Sequence, residues 1–291
     1  MNNKNEITIN WVMLWKCNFR CIYCQTYLNT NALEFQPLET IKECFHDLVE
    51  QLKKNNDKIN LTLTGGEPSI YPNFFELVKF FSEMTDRVTI CTNLSFDVKK
   101  FHDICKDFKD KINIHPTFHP SCIKIEEFMN NMNIVKSCFQ CSIVNVVCDK
   151  YNMKKINNIV QQLNNNGIKV NLLPFKYTTN KIKETEKIEK ENISHLEILN
   201  NDEELTKIEK IQEKQSLNLS EYESGKKSPF GKKCLTGYKF FQIFPNGNIR
   251  RCSMDNTYLG NIFDKDYHLY TEIQTCKQQT CRYEFHNIIE D

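Results

Sequence analysis

Short β-rich runs alternate with longer runs of helical period from Ile7 to about Phe175, and this alternation constrains the fold more than any other feature of the sequence. Strands are predicted over residues 7–14, 59–63, 88–91, 112–118, 142–147 and 170–173. Between the first two, residues 38–54 place Ile41, Phe45, Leu48 and Leu52 on one helix face, and the helical run 153–163 is closed by Gly167. Six βα units of this kind predict a parallel sheet with covering helices. Right-handed crossovers would curl that sheet towards a barrel or half-barrel, with the loops that follow the strands sharing one rim.

Composition limits what such a chain can do. Its 291 residues, 40% hydrophobic, suffice for one large core and a smaller appendage, and no apolar run is long enough to cross a bilayer. The polar start Met1-Asn-Asn-Lys-Asn-Glu lacks the pattern of a secretory signal, so a cytoplasmic location is expected. In that compartment 14 cysteines are better explained by metal binding than by disulfides. The 38 basic and 37 acidic residues nearly cancel, which disfavours nucleic acid as a partner, and no membrane partner is expected.

The first candidate site follows the first strand. Cys17, Cys21 and Cys24 form a C-x3-C-x2-C loop, and three thiolates on one tight loop can hold three irons of a cubane cluster, leaving the fourth iron open. A zinc site or scattered core cysteines are the alternatives. After the second strand comes Gly65-Gly66-Glu67-Pro68, where paired glycines allow close backbone approach and Glu67 supplies an acceptor for an ammonium group. Thr92 and Asn93 end the third strand with groups that both donate and accept. The order puts all three segments on one rim.

The C-x3-C-x2-C loop, with Tyr23 before its last cysteine, the Gly-Gly-Glu-Pro turn and the Thr-Asn pair together resemble the signature of the radical SAM superfamily. The resemblance implies a partial (β/α)6 TIM-like barrel and a [4Fe-4S] cluster on Cys17, Cys21 and Cys24. Its open iron would chelate S-adenosylmethionine, which the cluster cleaves reductively to a 5′-deoxyadenosyl radical. Tyr23, Gly65, Gly66, Glu67, Pro68, Thr92 and Asn93 would then contact S-adenosylmethionine. His119, in a His-Pro pair at the end of the fourth strand, resembles a cavity-facing position of the family, and His115 lies on the same strand. Both are also ordinary structural histidines in kind.

A charged stretch over residues 177–230, expected to be a helical connector, separates this core from a cysteine-bearing end. The predicted division is a radical SAM core over 1–176, the connector, and a small module over 231–291. The module contains Cys234, a Pro245-Asn246-Gly247 hairpin turn, Cys252, and the pair Cys276-x4-Cys281. It resembles the SPASM and twitch extensions of radical SAM enzymes. Four cysteines imply one auxiliary [4Fe-4S] cluster, with a zinc ribbon as the alternative.

A deoxyadenosyl radical abstracts hydrogen atoms generally, so three outcomes stay open: oxidation with the second cluster as electron acceptor, peptide cross-linking, or epimerisation by a thiol hydrogen donor. Cys148, Cys91 and an unligated member of the C-terminal cysteine set are the candidate donors on the predicted rim. Because the first cysteine loop starts at residue 17, an N-terminal leader-binding domain is not expected. The expected substrate is a small, carbohydrate-like metabolite or a peptide, giving oxidation or epimerisation, with flavodoxin or ferredoxin as electron donor. An RNA-modifying enzyme and a metal-stabilised binding scaffold are the competing readings.

Overall fold

The computed structural model describes residues 5–21, 24, 35–56, 58–141, 143–148, 153–174, 221–222, 226–281 and 284–289. Tyr23 and nearly all of the expected connector lie outside the described residues. Six strands, β1 (Glu6–Leu14), β2 (Lys58–Gly65), β3 (Arg87–Thr92), β4 (Ile112–Phe118), β5 (Val144–Cys148) and β6 (Val170–Pro174), alternate with five helices. These are α1 (Leu38–Lys53), α2 (Phe74–Met84), α3 (Val98–Cys105), α4 (Ile125–Cys138) and α5 (Met153–Asn165). The strands pair in parallel and in chain order, the partial barrel of an α/β fold.

Each helix forms because its apolar residues recur on one face. In α1 that stripe is Ile41, Phe45, Leu48 and Leu52, with Cys44 and Val49 beside it, all buried. Phe45 meets Trp11 of β1 at 5.8 Å and Phe81 of α2 at 4.7 Å between ring centroids, a tilted aromatic trio at the centre of the core. Helix α3 is capped by Asp97, whose carboxylate accepts the Lys100 N–H at 3.0 Å.

Strand alternation gives the sheet two unlike faces. On β4, Ile112, Ile114 and Phe118 are buried under the helices, while Asn113, His115 and Thr117 lie half-buried on the inner face. Hydrogen bonds cross that inner face from strand to strand. Asn171 Nδ2 donates to Asn145 Oδ1 at 2.8 Å, and Asn145 Nδ2 stands 3.2 Å from His115 Nε2.

The C-terminal cysteine-bearing segment continues the same sheet. Strand β8 (Phe240–Ile243) runs parallel to β1, with Thr8 to Trp11 opposite Phe240 to Ile243. Beyond it β9 (Asn248–Arg250), β10 (Tyr258–Asn261) and β11 (Asp266–Tyr267) follow in antiparallel order, completing ten strands. The Pro245-Asn246-Gly247 turn joins β8 to β9 as expected, and Gly247 takes φ 82° there, the left-handed conformation such turns require. A separate pair, β7 (Lys233–Cys234) with β12 (Gln274–Thr275), closes the end of the segment.

Candidate functional site

The loops after β1 and β2 meet through their backbones, and the end of β3 joins them through side chains. The Gly66 N–H donates to the Leu14 carbonyl at 2.8 Å and the Glu67 N–H to the Lys16 carbonyl at 3.0 Å. A Cβ on Gly65 would run into the Leu14 carbonyl, and one on Gly66 into that of Lys16. The paired glycines thus let the second loop lie directly against the cysteine loop.

Glu67 is 1% exposed. Its Oε1 accepts the Thr92 hydroxyl at 2.7 Å and the Ser69 N–H at 3.1 Å, and its Oε2 accepts the Asn93 N–H at 2.7 Å. Burial pushes this carboxyl up and the donors pull it down. In the structure the carboxylate fastens the end of β3 to the loop after β2. Asn93 passes the connection on: its side-chain N–H group donates to Asn18 Oδ1 at 2.9 Å and lies 3.8 Å from Cys17 Sγ. The next residue, Leu94, is fully buried with φ 62°, a conformation rare for a branched residue, held by Asn131 donating to its carbonyl at 2.9 Å.

Cys17, Cys21 and Cys24 stand on this rim. Cys17 Sγ accepts the Phe19 N–H at 3.3 Å, and the Cys24 N–H donates to the Cys21 carbonyl at 2.9 Å, turning the loop on itself. Cys24 packs beside Cys21 and acts electrostatically on Cys17. His119 Nδ1 lies 3.6 Å from Cys21 Sγ, its ring edge-on to Phe19, and burial lowers it to about 4. His119 is therefore a neutral imidazole beside the cysteine loop, and His115 sits deeper on the inner face.

Cys148 does not reach the rim. Val147 packs with Cys21, but the next residue of the strand points to the opposite face, where Cys148 is fully buried in the core beneath the helices. Cys91 lies opposite His115 on the inner face. Sequence reasoning missed Cys122, whose Sγ lies 3.3 Å from Cys21 Sγ. The signal was its position three residues after His119, where the Cys122 N–H closes a turn onto the His119 carbonyl at 2.9 Å.

At the other end of the molecule Cys234, Cys252, Cys276 and Cys281 line one cavity with Thr236, Arg251 and Glu284. Strand β7 carries Cys234, the end of β9 leads into Cys252, and β12 leads into Cys276. Among the described residues, no group of three His, Cys, Asp or Glu side chains is close enough to hold a metal ion, at this cavity or at the first cysteine loop. Four sulfur donors are the ligand set that zinc and iron–sulfur centres share. Burial pushes Cys252 up to about 12 and Cys281 to about 11, so metal binding there must displace protons.

Residues 13–163, slightly more than half the chain, match the family model of the Radical SAM superfamily. The chain is 30% identical over 150 residues to 7-carboxy-7-deazaguanine synthase of Clostridium acetobutylicum, covering 51% of this chain and 63% of that protein. Over 97 residues it is 26% identical to the antilisterial bacteriocin subtilosin biosynthesis protein AlbA of Bacillus subtilis, covering 33% and 20%. Among solved structures, Streptococcus suis SuiB bound to S-adenosylmethionine superposes with a TM-score of 0.58 at 17% identity, over 90% of this chain and 64% of that one. Native anSMEcpe with bound AdoMet and Kp18Cys peptide gives 0.61 at 13% identity, over 89% and 78%. The chain thus spans just under two thirds of the synthase and of SuiB. The structural likenesses show a shared fold. The family match runs from Met13 through the cysteine loop, the glycine turn and Asn93 into α5, and the chain belongs to the radical SAM superfamily.

Proposed function

We propose that the chain is a radical SAM enzyme acting on an unactivated C–H bond of a peptide or a carbohydrate-like metabolite, with oxidation or epimerisation as the outcome. In this reading Cys17, Cys21 and Cys24 hold a [4Fe-4S] cluster with an open iron. When bound there, S-adenosylmethionine and the cluster supply a 5′-deoxyadenosyl radical. The observation that carries the reading is the convergence of the cysteine loop, Gly65–Gly66 and Asn93 through direct hydrogen bonds on one rim.

The roles of the chain's own residues follow from that geometry. Glu67 fixes the backbone N–H of Asn93, and Asn93 in turn steadies Asn18 beside Cys17. His119, uncharged and next to Cys21, shields that thiol from bulk water. The inner face below the rim offers uncharged donors and acceptors from Asn113, His115, Asn145 and Asn171. Such a lining matches substrates rich in amides or hydroxyls. The peptide side of the proposal also draws on the bacteriocin role in the name of AlbA and on the peptide bound to anSMEcpe. The second cysteine set is read as an auxiliary [4Fe-4S] cluster that accepts the electron left by an oxidised substrate radical, and flavodoxin or ferredoxin as the donor to the first cluster.

The test is anaerobic incubation of the reconstituted chain with S-adenosylmethionine and a strong reductant, following 5′-deoxyadenosine. Wild type is expected to form it and Cys21→Ala to form none; equal yields from both would refute the assignment. Deuterated peptides and sugars then identify the substrate by label transfer into 5′-deoxyadenosine. Solvent hydrogen in a product of unchanged oxidation state marks epimerisation.

A further inference from the structure

Arg251 is 4% exposed, and its guanidinium forms part of the wall of the four-cysteine cavity. Its Nε donates to the Thr236 carbonyl at 2.9 Å and to the Thr236 hydroxyl at 3.0 Å, and its Nη1 donates to the Thr275 carbonyl at 3.1 Å. Thr236 is two residues after Cys234, Thr275 immediately precedes Cys276, and Arg251 itself immediately precedes Cys252. One side chain therefore braces three of the four cysteine-bearing segments.

The donors of this group are incompletely met. Asp255 Oδ2 forms a buried ion pair with Nη1 at 3.6 Å, too long for a good hydrogen bond, and Glu284 is engaged by Gln242 at 3.0 Å and Ser253 at 2.7 Å. Among the described residues Nη2 is buried with no hydrogen-bond partner. A buried guanidinium donor without an acceptor is costly, and Arg stays protonated at any accessible pH. Arg251 lines the cavity together with the four thiols, so an acceptor for Nη2 on that side would lie beside them.

We propose that Arg251 is the positioning and charge-compensating partner of an iron–sulfur cluster held by Cys234, Cys252, Cys276 and Cys281, donating through Nη2 to its sulfur and raising its reduction potential. This rests on the auxiliary-cluster reading given above. Four thiolates around a [4Fe-4S]2+ core carry net charge −2, and one-electron reduction takes the assembly to −3. A fixed cation at the cavity wall favours the more negative state. Only an electron is gained in this step, supplied by a low-potential reductant in the test and by a carbon-centred substrate radical in the proposed reaction. No bond at Arg251 breaks and no proton leaves it.

The test uses the full chain carrying Cys17→Ala, Cys21→Ala and Cys24→Ala, so that the auxiliary centre is read alone. It should retain about four irons and show a reduced-cluster signal in electron paramagnetic resonance. Zinc, or no metal, in this protein rejects the auxiliary cluster itself and is distinct from any result at Arg251. Within this background, Arg251→Gln should lower the reduced-to-oxidised ratio at least tenfold at the parent midpoint, a shift of about 59 mV for one electron. Arg251→Lys should give a smaller shift. An intact cluster with unchanged midpoint in Arg251→Gln overturns the proposal. Should Arg251→Gln shed its iron, the parent chain labelled with [15N]arginine decides. Carrying Arg282→Lys to remove the arginine beside Cys281, it should show nitrogen hyperfine coupling to the reduced cluster, and absence of coupling overturns the proposal.

Discussion

Glu67 shows how a short motif carries a structural task beside the one its residue types suggest. An acidic side chain after two glycines reads as an acceptor for an ammonium group, and its oxygens also serve Ser69, Thr92 and Asn93. Replacing one oxygen by an amide leaves a buried donor facing a donor. Glu67→Gln is therefore expected to cost about 1–3 kcal/mol in chemical denaturation and to weaken S-adenosylmethionine binding, measured by equilibrium dialysis on the reconstituted protein. Gly66→Ala should be more severe, because the new methyl meets the Lys16 carbonyl and pushes the second loop away from the cysteine loop. Near-native circular dichroism with lost 5′-deoxyadenosine formation is the expected pair of results. The cysteines and glycines of this site were legible in the sequence because short spacing fixes them. The contact of Cys122 with Cys21 and those of Arg251 with Thr236 and Thr275 were not, since each joins segments distant in the sequence. Nor could the sequence announce the left-handed turn at Leu94, whose side chain carries no mark of it.

At the scale of elements, periodicity carried most of the information. Strand β4 falls on residues 112–118 as predicted, α1 ends one residue short of the predicted run, and β5 starts two residues later than the β-rich run suggested. Alternation also decides which chemistry each strand end can offer, and it removes Cys148 from the rim while leaving Cys91 on the inner face. Cys148→Ala should leave 5′-deoxyadenosine formation and product stereochemistry unchanged while lowering thermal stability. Phe45 tests the element packing directly. It joins Trp11 and Phe81 at the centre of the layer, and Phe45→Ala is expected to destabilise by about 3–5 kcal/mol in urea titration.

For the whole molecule, the sequence suggested an appended module, whereas β8 to β11 extend the barrel sheet from its β1 edge. Pairing between β1 and β8 could not be read from the sequence, because β8 is a run of only 4 residues that fits many neighbours. Its energetic consequence is testable: removal of residues 231–291 would strip Thr8 to Trp11 of their outer partners and uncover the core residues that Phe241 and Ile243 pack with. Aggregation during size-exclusion chromatography is expected, where an independent appendage would leave a monodisperse core.

The β1–β8 ladder has one more consequence. Trp15 and Phe244 meet at 6.0 Å where β1 and β8 emerge towards the first cysteine loop, whereas Cys234 and Cys252 flank the opposite end of the β8–β9 hairpin. From Thr8 to Leu14 the strand advances roughly 20 Å at the usual rise per residue. The hairpin thus meets β1 short of its last residues before the cysteine loop, and β1 itself carries a register shift between Val12 and Leu14. In the two-cluster reading proposed above, the distance an electron crosses depends on the register of β8 on β1, so a change in that register is expected to change the transfer rate.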